Sequence, residues 1–198
     1  MTLDHFRPHV QDYIRPFITL AMRMGITPNA LTVASLIVAV LAGISFYLGM
    51  IIWGVVMVAF NAFFDTLDGA LARETNSHSL KGDFLDHVVD RYADIFIITG
   101  IFAGGFAPWW IGVFALTGVL MSSYLGTQAQ AVGLGRNYGG VLGRADRLVL
   151  ILAAGVLDIF ISGGILGMDY LGWLLLIFGV MGHFTAIQRF AFAWNRMK

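Results

Sequence analysis

The stretch that decides the fold is ALTVASLIVAVLAGISFYLGM, which runs from Ala30 to Met50. It contains no charged side chain, and about 20 residues of helix are enough to cross the roughly 30 Å hydrocarbon core of a bilayer. The whole chain of 198 residues has the same character, because 58% of it is hydrophobic and only 12% is charged. Soluble domains carry about 25% charged residues. The sequence therefore predicts an integral membrane protein.

Five further apolar stretches follow the first, and each is long enough to span a bilayer. The six predicted spans cover residues 30–50, 52–74, 84–105, 107–132, 147–165 and 168–193. The predicted fold class is thus an all-α integral membrane protein with six transmembrane helices. We expect a single domain over residues 1–198, in which residues 26–198 form the six-helix bundle.

The segment before the first span, residues 1–25, is predicted to be an amphipathic helix that lies at the membrane surface. Its apolar residues recur at alternating spacings of four and three, as on one face of a helix. These residues are Phe6, Val10, Tyr13, Phe17, Leu20 and Met24. Pro16 is expected to kink or interrupt this helix, because proline removes a backbone hydrogen bond. Gly25 and the following Pro28 are expected to end it.

Basic and aromatic residues predict the topology. The connections between the first and second, third and fourth, and fifth and sixth spans contain none of the 12 Lys and Arg residues. Trp53, Trp109, Trp110 and Trp173 lie beside those connections, as in an aromatic belt at the outer interface. Because basic residues gather on the cytoplasmic side, both termini and the active site are expected to face the cytoplasm, in a multi-pass protein of the cell membrane.

Net charge and cysteine content exclude several classes of function. The 12 basic residues balance 12 acidic residues, so the chain has no basic field that would hold a nucleic acid. Cysteine is absent from the sequence. Any metal ion would therefore have to bind oxygen or imidazole ligands.

Acidic residues on the second and third spans predict where the chemistry takes place. They are Asp65 and Asp68 on the second span, and Asp83, Asp86, Asp90 and Asp94 on the third. Spacings of three and four place carboxylates on one helix face, and each costs about 2.5–3.5 kcal/mol near the bilayer centre. Hard divalent cations prefer carboxylate oxygens, and two of them would neutralise four aspartates. The alternative is that these acids are solvated or paired with Arg73, Lys81 and Arg91.

Small residues beside the acids predict a site where a ligand approaches the backbone. Gly69 and Ala72 follow the acids of the second span and leave one helix face bare. Arg73 then suits a phosphate, because its guanidinium offers a fork of donors. Gly82 begins the third span, where free N–H groups favour an anion, and Ser79 adds a hydroxyl. Helix packing alone is the alternative explanation for the small residues.

The residues from Asp65 to Asp90 form a pattern that identifies a family. It reads D-x-x-D-G-x-x-A-R up to Arg73, and after eight residues G-x-x-x-D-x-x-x-D from Gly82. This resembles the complete signature of the CDP-alcohol phosphatidyltransferases, with eight fixed residues over 26 positions. The entry to the first span, TPNALT from Thr27, also resembles that family. The resemblance extends over nearly the whole chain.

The resemblance implies that a phosphatidyl group, or its archaeal ether-lipid equivalent, is transferred from a CDP-linked lipid to an alcohol, with release of CMP. It implies a general base, Asp90, and two divalent ions, Mg²⁺ with Mn²⁺ as a substitute. The implied metal ligands are Asp65, Asp68, Asp86 and Asp90. The implied CDP-lipid site consists of Pro28, Asn29, Ala30, Leu31, Asp68, Gly69, Ala72, Arg73, Ser79 and Gly82. Members of the family usually assemble as homodimers through membrane helices.

The acceptor alcohol is predicted from the run DHVVDRYAD, which begins at Asp86. It looks more like the members that use inositol phosphate than those that use glycerol phosphate, which is the alternative acceptor. Arg144, Arg147 and Arg189 are predicted to bind the acceptor phosphate as bidentate donors. The alternative for these arginines is a purely topological role on the cytoplasmic side. Asp94, outside the motif, is expected to be an orienting or packing partner.

Two other classes stay open at this point. A magnesium-dependent membrane prenyltransferase also uses aspartates at a membrane rim, although its motifs lack the G-x-x-A-R insert. A cation transporter also uses intramembrane carboxylates. Such a transporter would be expected to show acids near the bilayer midplane and inverted internal repeats, and neither is detected in the sequence.

Overall fold

The computed structural model describes residues 7–135, 139–161 and 163–197, and over these residues the chain forms helices and no β-strand. The helices are α1 (Arg7–Arg23), α2 (Pro28–Tyr47), α3 (Ile51–Glu74), α4 (Leu80–Ala103), α5 (Trp109–Ala131), α6 (Arg144–Phe160) and α7 (Tyr170–Trp194). The predicted all-α fold class is confirmed.

Four of the helices, α2, α3, α5 and α7, are long and apolar enough to cross a membrane. The chain is therefore a membrane protein, as predicted. α4 contains six charged residues, and α6 has only 17 residues. These two helices thus lack the length or composition of an isolated membrane span, and the count of six transmembrane helices stays a prediction.

α6 differs from its predicted span, residues 147–165, at both ends. It begins at Arg144, because the carboxylate of Asp146 accepts a hydrogen bond from the backbone N–H of Gly143 at 2.9 Å and satisfies the helix start. It ends at Phe160, shortly before Gly163 and Gly164. Their φ angles of 103° and 55° belong to a turn rather than to a helix. Local capping and turn chemistry therefore move the helix toward the N-terminus.

α1 has two apolar faces. The buried face packs with residues of α2 and α3 and consists of Ile14, Ile18 and Ala21. The face predicted from the sequence is the other one, and its exposed members are Tyr13, Phe17, Leu20 and Met24. Phe6 and the side chain of Val10 lie outside the described residues. An exposed apolar face next to membrane helices supports a position at the bilayer surface, which stays a prediction.

α1 continues through Pro16, so the interruption predicted at this residue is wrong, and a kink stays a prediction. Ile14 and Ile18, on either side of the proline, are buried, and this packing offsets the loss of one backbone hydrogen bond. The predicted end at Gly25 is confirmed. Gly25 has a φ of 67°, and the N–H of Ile26 donates to the carbonyl of Ala21 at 2.9 Å, as in a glycine-terminated helix.

α2 and α4 cross in close contact. A Cβ atom on Gly100 of α4 would collide with the carbonyl oxygen of Gly43 of α2, so the two backbones can approach only because both residues are glycines. Phe46, Ile97 and Ile101 are fully buried around this crossing. The two helices run in the same direction, and their first turns therefore lie at the same end of the bundle.

Candidate active site

The acidic residues lie at the end of the bundle where α3 ends and α4 begins. Only residues 75–79 join the two helices, which places the last turns of α3 beside the first turns of α4. Asp65 and Asp68 are on α3, and Asp86 and Asp90 are on α4. The structure thus brings the four predicted metal ligands to one end of the bundle.

Asp68 is the most deeply buried of these four aspartates, at 6% exposure. Its Oδ2 accepts a hydrogen bond from Thr32 Oγ1 at 2.6 Å. Thr32 lies in the first turns of α2, which are fixed by Pro28 and by the Thr27 side chain that accepts from the N–H of Ala30 at 3.3 Å. The start of α2 therefore orients the Asp68 carboxylate. Sequence reasoning missed Thr32, although this residue closes the TPNALT run.

Arg144, the first residue of α6, lies between the two acidic helices. Its Nη1 contacts Oδ1 of Asp65 and lies 2.6 Å from Oδ1 of Asp90. Arg91 adds a second, longer ion pair, with Nη1 3.7 Å from Asp90 Oδ2. A residue that was predicted to bind the acceptor phosphate is thus placed directly at two predicted metal ligands.

A second ion pair lies one helical turn further along. Nη2 of Arg147 lies 2.7 Å from Oδ2 of Asp94, and both residues are 5% exposed. The pairs Asp90–Arg144 and Asp94–Arg147 form what we call the ion-pair ladder between α4 and α6. Removing one partner of a buried pair leaves an uncompensated charge, so the ladder fixes how α6 faces α4. Asp94 is a packing partner, as predicted.

Arg189, the third predicted acceptor residue, contacts a different part of the site. Its Nε donates to the carbonyl of Gly139 at 2.7 Å, and its Nη1 donates to the carbonyl of Ser122. Two residues further along the same loop, the N–H of Val141 donates to Thr185 Oγ1 at 3.3 Å. These contacts attach α7 to the loop that leads into α6 and Arg144.

The acid cluster has the donors that a hard divalent cation requires. Asp86, His87 and Asp90 each place one ligand atom so that all three atoms lie within 4.8 Å of one another. Nε2 of His87 lies 3.5 Å from Oδ1 of Asp83, and Nδ1 of His87 lies 3.7 Å from Oδ2 of Asp86. The carboxylates suit Mg²⁺ and Mn²⁺, and a cationic side chain, Arg144, already bridges Asp65 and Asp90. From the sequence, His87 is more readily explained as a structural histidine next to the site than as a ligand, and the structure places its ring between Asp83 and Asp86.

A cavity of about 520 Å³ opens beside the aspartates. Its lining includes Asp86 and seven of the ten residues predicted to bind the CDP-linked lipid, namely Pro28, Asn29, Asp68, Gly69, Ala72, Ser79 and Gly82. The other three predicted residues, Ala30, Leu31 and Arg73, lie outside this lining. Leu31 instead packs in the apolar cluster beneath α1. Ligand sites commonly have volumes of about 300–1,000 Å³, so the cavity is large enough for a small-molecule group.

The start of α4 forms one wall of this cavity. Ser79 caps the helix, because its Oγ accepts from the N–H of Gly82 at 3.0 Å. A Cβ atom on Gly82 would lie 3.3 Å from Asn29 Oδ1, so glycine allows α2 and α4 to begin side by side. Across the cavity, Arg73 Nη1 lies 3.5 Å from the position of a Cβ atom on Gly69. Arg73 therefore reaches the cavity rim without lining it.

Comparison with known proteins agrees with this arrangement. The sequence profile of the CDP-alcohol phosphatidyltransferases matches residues 25–186, and the chain belongs to this family. The chain is 33% identical over 196 residues to an archaetidylinositol phosphate synthase of Methanothermobacter thermautotrophicus, which covers 99% of this chain and 96% of that relative.

Two crystal structures of the phosphatidylinositol phosphate synthase of Mycobacterium tuberculosis are also similar to this chain. The structure with CDP-DAG bound has a TM-score of 0.78 and 26% identity, and the match covers 92% of this chain and 97% of that one. The complex with manganese and citrate has a TM-score of 0.77 and 26% identity, and the match covers 92% of each chain.

The protein is thus a membrane-bound transferase of phospholipid biosynthesis, as the aspartate motif predicted. Family membership decides against the prenyltransferase and the cation transporter, which the acidic residues alone left open.

Proposed function

We propose that this enzyme transfers the phosphatidyl group of a CDP-linked lipid, or its archaeal ether equivalent, to inositol phosphate and releases CMP. The observation that carries the proposal is the position of Arg144 on α6, in contact with Asp65 and Asp90, while the other two motif aspartates, Asp68 and Asp86, line the cavity. Such an arrangement serves two phosphate-bearing substrates, one at the acids through cations and one at the arginines. The relatives, which are archaetidylinositol and phosphatidylinositol phosphate synthases, support the choice of acceptor.

The nucleotide part of the CDP-linked lipid is proposed to bind in the cavity. The first turn of α4 borders the cavity, and the N-terminal end of a helix favours a phosphate, while the N–H of Gly82 itself is held by Ser79 Oγ. Gly69 leaves the opposite wall bare, and Arg73 at the rim adds a charged donor. Pro28 and Asn29 close the cavity on the side of α2. The relative that was crystallised with CDP-DAG supports this substrate class.

Asp65, Asp68, Asp86 and Asp90 are proposed to hold two divalent cations, Mg²⁺ with Mn²⁺ as a substitute. Bound there, the cations would neutralise the charge that develops on the leaving phosphate. Thr32 keeps the Asp68 carboxylate turned toward the cavity by a 2.6 Å hydrogen bond. The relative solved with manganese and citrate supports a divalent ion in this fold.

Asp90 is proposed to be the general base. The acceptor hydroxyl oxygen forms a bond to the β-phosphorus of the CDP-linked lipid, and the proton of that hydroxyl passes to an oxygen of Asp90. The bond between the β-phosphorus and the bridging oxygen breaks, and CMP leaves with the electron pair. Arg91 and Arg144 orient the Asp90 carboxylate through their ion pairs.

The phosphate of the acceptor is proposed to bind to Arg144, Arg147 and Arg189. Arg144 is the arginine nearest to the proposed base. Arg147 lies three residues along the same helix and is paired with Asp94. Arg189 supports the loop that precedes Arg144, so its loss would affect the same substrate.

The position in the membrane follows from the same arrangement. We propose that α4 and α6 complete a bundle of six transmembrane helices, because the ion-pair ladder neutralises Asp90 and Asp94, the charged residues of α4 that face α6. α1 would lie at the cytoplasmic surface, with both termini and the active site on that side of the cell membrane. Assembly as a homodimer through membrane helices is proposed from the family resemblance.

The proposal is tested by CMP release from purified protein in nanodiscs. The donor is CDP-diacylglycerol or its ether analogue, and the acceptors are inositol phosphate, glycerol phosphate, serine and inositol. We expect inositol phosphate to give the fastest release. Faster release with glycerol phosphate would contradict the acceptor, and equal release with no acceptor would mean that the enzyme is a hydrolase.

A second assay tests the cations. EDTA is expected to abolish CMP release, and Mg²⁺ or Mn²⁺ is expected to restore it, because four carboxylates beside a pyrophosphate require counter-charge. Full activity in excess EDTA would contradict the proposed role of divalent ions.

A further inference from the structure

Arg144 takes the position from which a cation would bind two motif carboxylates at once. Its Nη1 lies 2.6 Å from Asp90 Oδ1 and also contacts Asp65 Oδ1, so that oxygens from α3 and α4 converge on one nitrogen. On the basis of the cation site proposed above, we propose that Arg144 is a built-in counter-cation that competes with the divalent ion for Asp65 and Asp90. Its guanidinium has to move away when the ion binds.

The guanidinium of Arg144 is held by charge more than by hydrogen bonds. Among the residues that the structure describes, its buried Nε and Nη2 atoms have no hydrogen-bond partner. A guanidinium has five N–H donors, and buried donors without a partner are unfavourable. The present position therefore depends on two carboxylates that a divalent ion binds more strongly, because that ion carries twice the charge.

Arg147 differs from Arg144 in this respect. It pairs at 2.7 Å with Asp94, which lies outside the metal motif, and both residues are 5% exposed. The Asp94–Arg147 pair keeps α6 against α4 when the Asp90–Arg144 pair opens. α6 thus has one arginine that stays paired with Asp94 and one that is released, and the released Arg144 joins Arg147 and Arg189 at the proposed site of the acceptor phosphate.

The test measures Mn²⁺ binding by the electron paramagnetic resonance signal of the free ion. The protein is in phosphatidylcholine nanodiscs, without CDP-lipid, so that activity plays no part. We expect Arg144→Gln to bind Mn²⁺ at least about tenfold more tightly than wild type, since one competing charge-assisted hydrogen bond is worth about this factor.

Two matched variants separate direct competition from a general change of charge. Arg91→Gln removes a charge that lies 3.7 Å from Asp90 alone, and we expect a smaller change, below about threefold, because no shared oxygen position is freed. Arg23→Gln removes an exposed charge on α1, and its Mn²⁺ affinity should equal that of wild type. Equal tightening in Arg144→Gln and Arg91→Gln would overturn the competition.

Thermal unfolding gives a second measurement. Without Mn²⁺, Arg144→Gln should unfold at a lower temperature than wild type, because the aspartates lose their counter-charge. Mn²⁺ should then raise its midpoint by more than it raises that of wild type, since tighter binding gives a larger shift. If Arg144→Gln does not fold, Arg144→Lys takes its place, and it should bind Mn²⁺ more tightly than wild type, because lysine lacks the fork of donors that spans both carboxylates.

The outcomes distinguish this inference from the proposed function. A variant at Arg144 with the Mn²⁺ affinity of wild type would overturn the competition and leave the cation site standing. If neither the wild-type protein nor Arg144→Gln binds Mn²⁺, the cation site itself is overturned.

Discussion

Helices α3, α4 and α6 are joined by ion pairs, whereas α5 and α7 are joined by glycines. In the acid-bearing half, which we define as α3, α4 and α6, Arg144 connects Asp65 to Asp90. In the glycine-packed half, α5 and α7, a Cβ atom on Gly182 would lie 2.6 Å from the carbonyl carbon of Gly118. One half is thus joined by side-chain charges and the other by direct backbone contact.

The difference teaches what each half contributes. Buried ion pairs are weak stabilisers compared with apolar packing of the same volume. The charges of the acid-bearing half therefore serve the binding of cations and phosphates, as proposed above, rather than stability. Close backbone packing leaves little room for movement. The glycines of the glycine-packed half therefore make this part of the molecule rigid. Substitutions should therefore reduce activity in one half and stability in the other.

The largest effect is expected in the acid-bearing half. Asp90→Asn should lower CMP release by at least about 10²-fold, because the general base and one cation ligand are lost together. The measurement is the CMP assay on protein whose folding is verified by its unfolding midpoint. Asp83→Asn is the matched control, since Asp83 lies two turns earlier on α4 and outside the motif. Equal loss in both variants would mean that the motif does not separate catalytic from other acids.

Arg189→Gln tests the boundary between the halves, because Arg189 belongs to α7 but contacts the loop before α6. The KM for inositol phosphate should rise about 10- to 100-fold, the factor that a charge-assisted hydrogen bond represents. The KM for the CDP-linked lipid should hardly change. Steady-state assays with unphosphorylated inositol provide the control. A uniform loss with every substrate, together with a lower unfolding midpoint, would assign Arg189 to the glycine-packed half.

Gly182→Ala is the corresponding change in the glycine-packed half. The added methyl group should lower the free energy of unfolding by about 1–3 kcal/mol, because it overpacks the contact with Gly118. Activity per folded molecule should stay near that of wild type. Val180→Ala, at an exposed position of the same helix, is the control for unfolding in detergent. Loss of activity without loss of stability would break the distinction between the halves.

The smallest effect is expected at Thr32, which supports an acid without carrying charge. Thr32→Val removes the 2.6 Å hydrogen bond to Asp68, and the CMP release rate should fall about 5- to 10-fold, as for one hydrogen bond of about 1 kcal/mol. Thr32→Ser keeps the hydroxyl and should retain most of the rate. A Thr32→Val enzyme with wild-type activity would show that Asp68 needs no support from α2.

Local sequence patterns were sufficient for much of the fold and of the site. The spacing placed Asp65 with Asp68 and Asp86 with Asp90 on one face of their own helices, because helix periodicity determines which side chains share a face, and the family resemblance implied that the two pairs meet. The end of α1 at Gly25 followed in the same way from backbone preferences.

Contacts between distant parts of the chain could not be obtained in this way. Arg144 meets Asp65 across 79 positions, and nothing near either residue specifies the other. Pro16 is tolerated inside α1 because of tertiary packing, which overrides the local preference of proline. The role of Arg189 likewise depends on where the loop at Gly139 passes α7, and a basic residue in an apolar run does not reveal that path.

The attachment of the α5–α6 loop to α7 has a consequence for chain length. Thr185 holds Val141 at 3.3 Å, and α6 begins only three residues later, at Arg144. Each residue inserted between these points would rotate α6 by about 100° about its own axis, since an α-helix has 3.6 residues per turn. Arg144 and Arg147 would then both turn away from α4. The number of residues from Val141 to Arg144 therefore determines the site as much as the types of these residues do. Insertions should be tolerated less well here than in other connections of the chain.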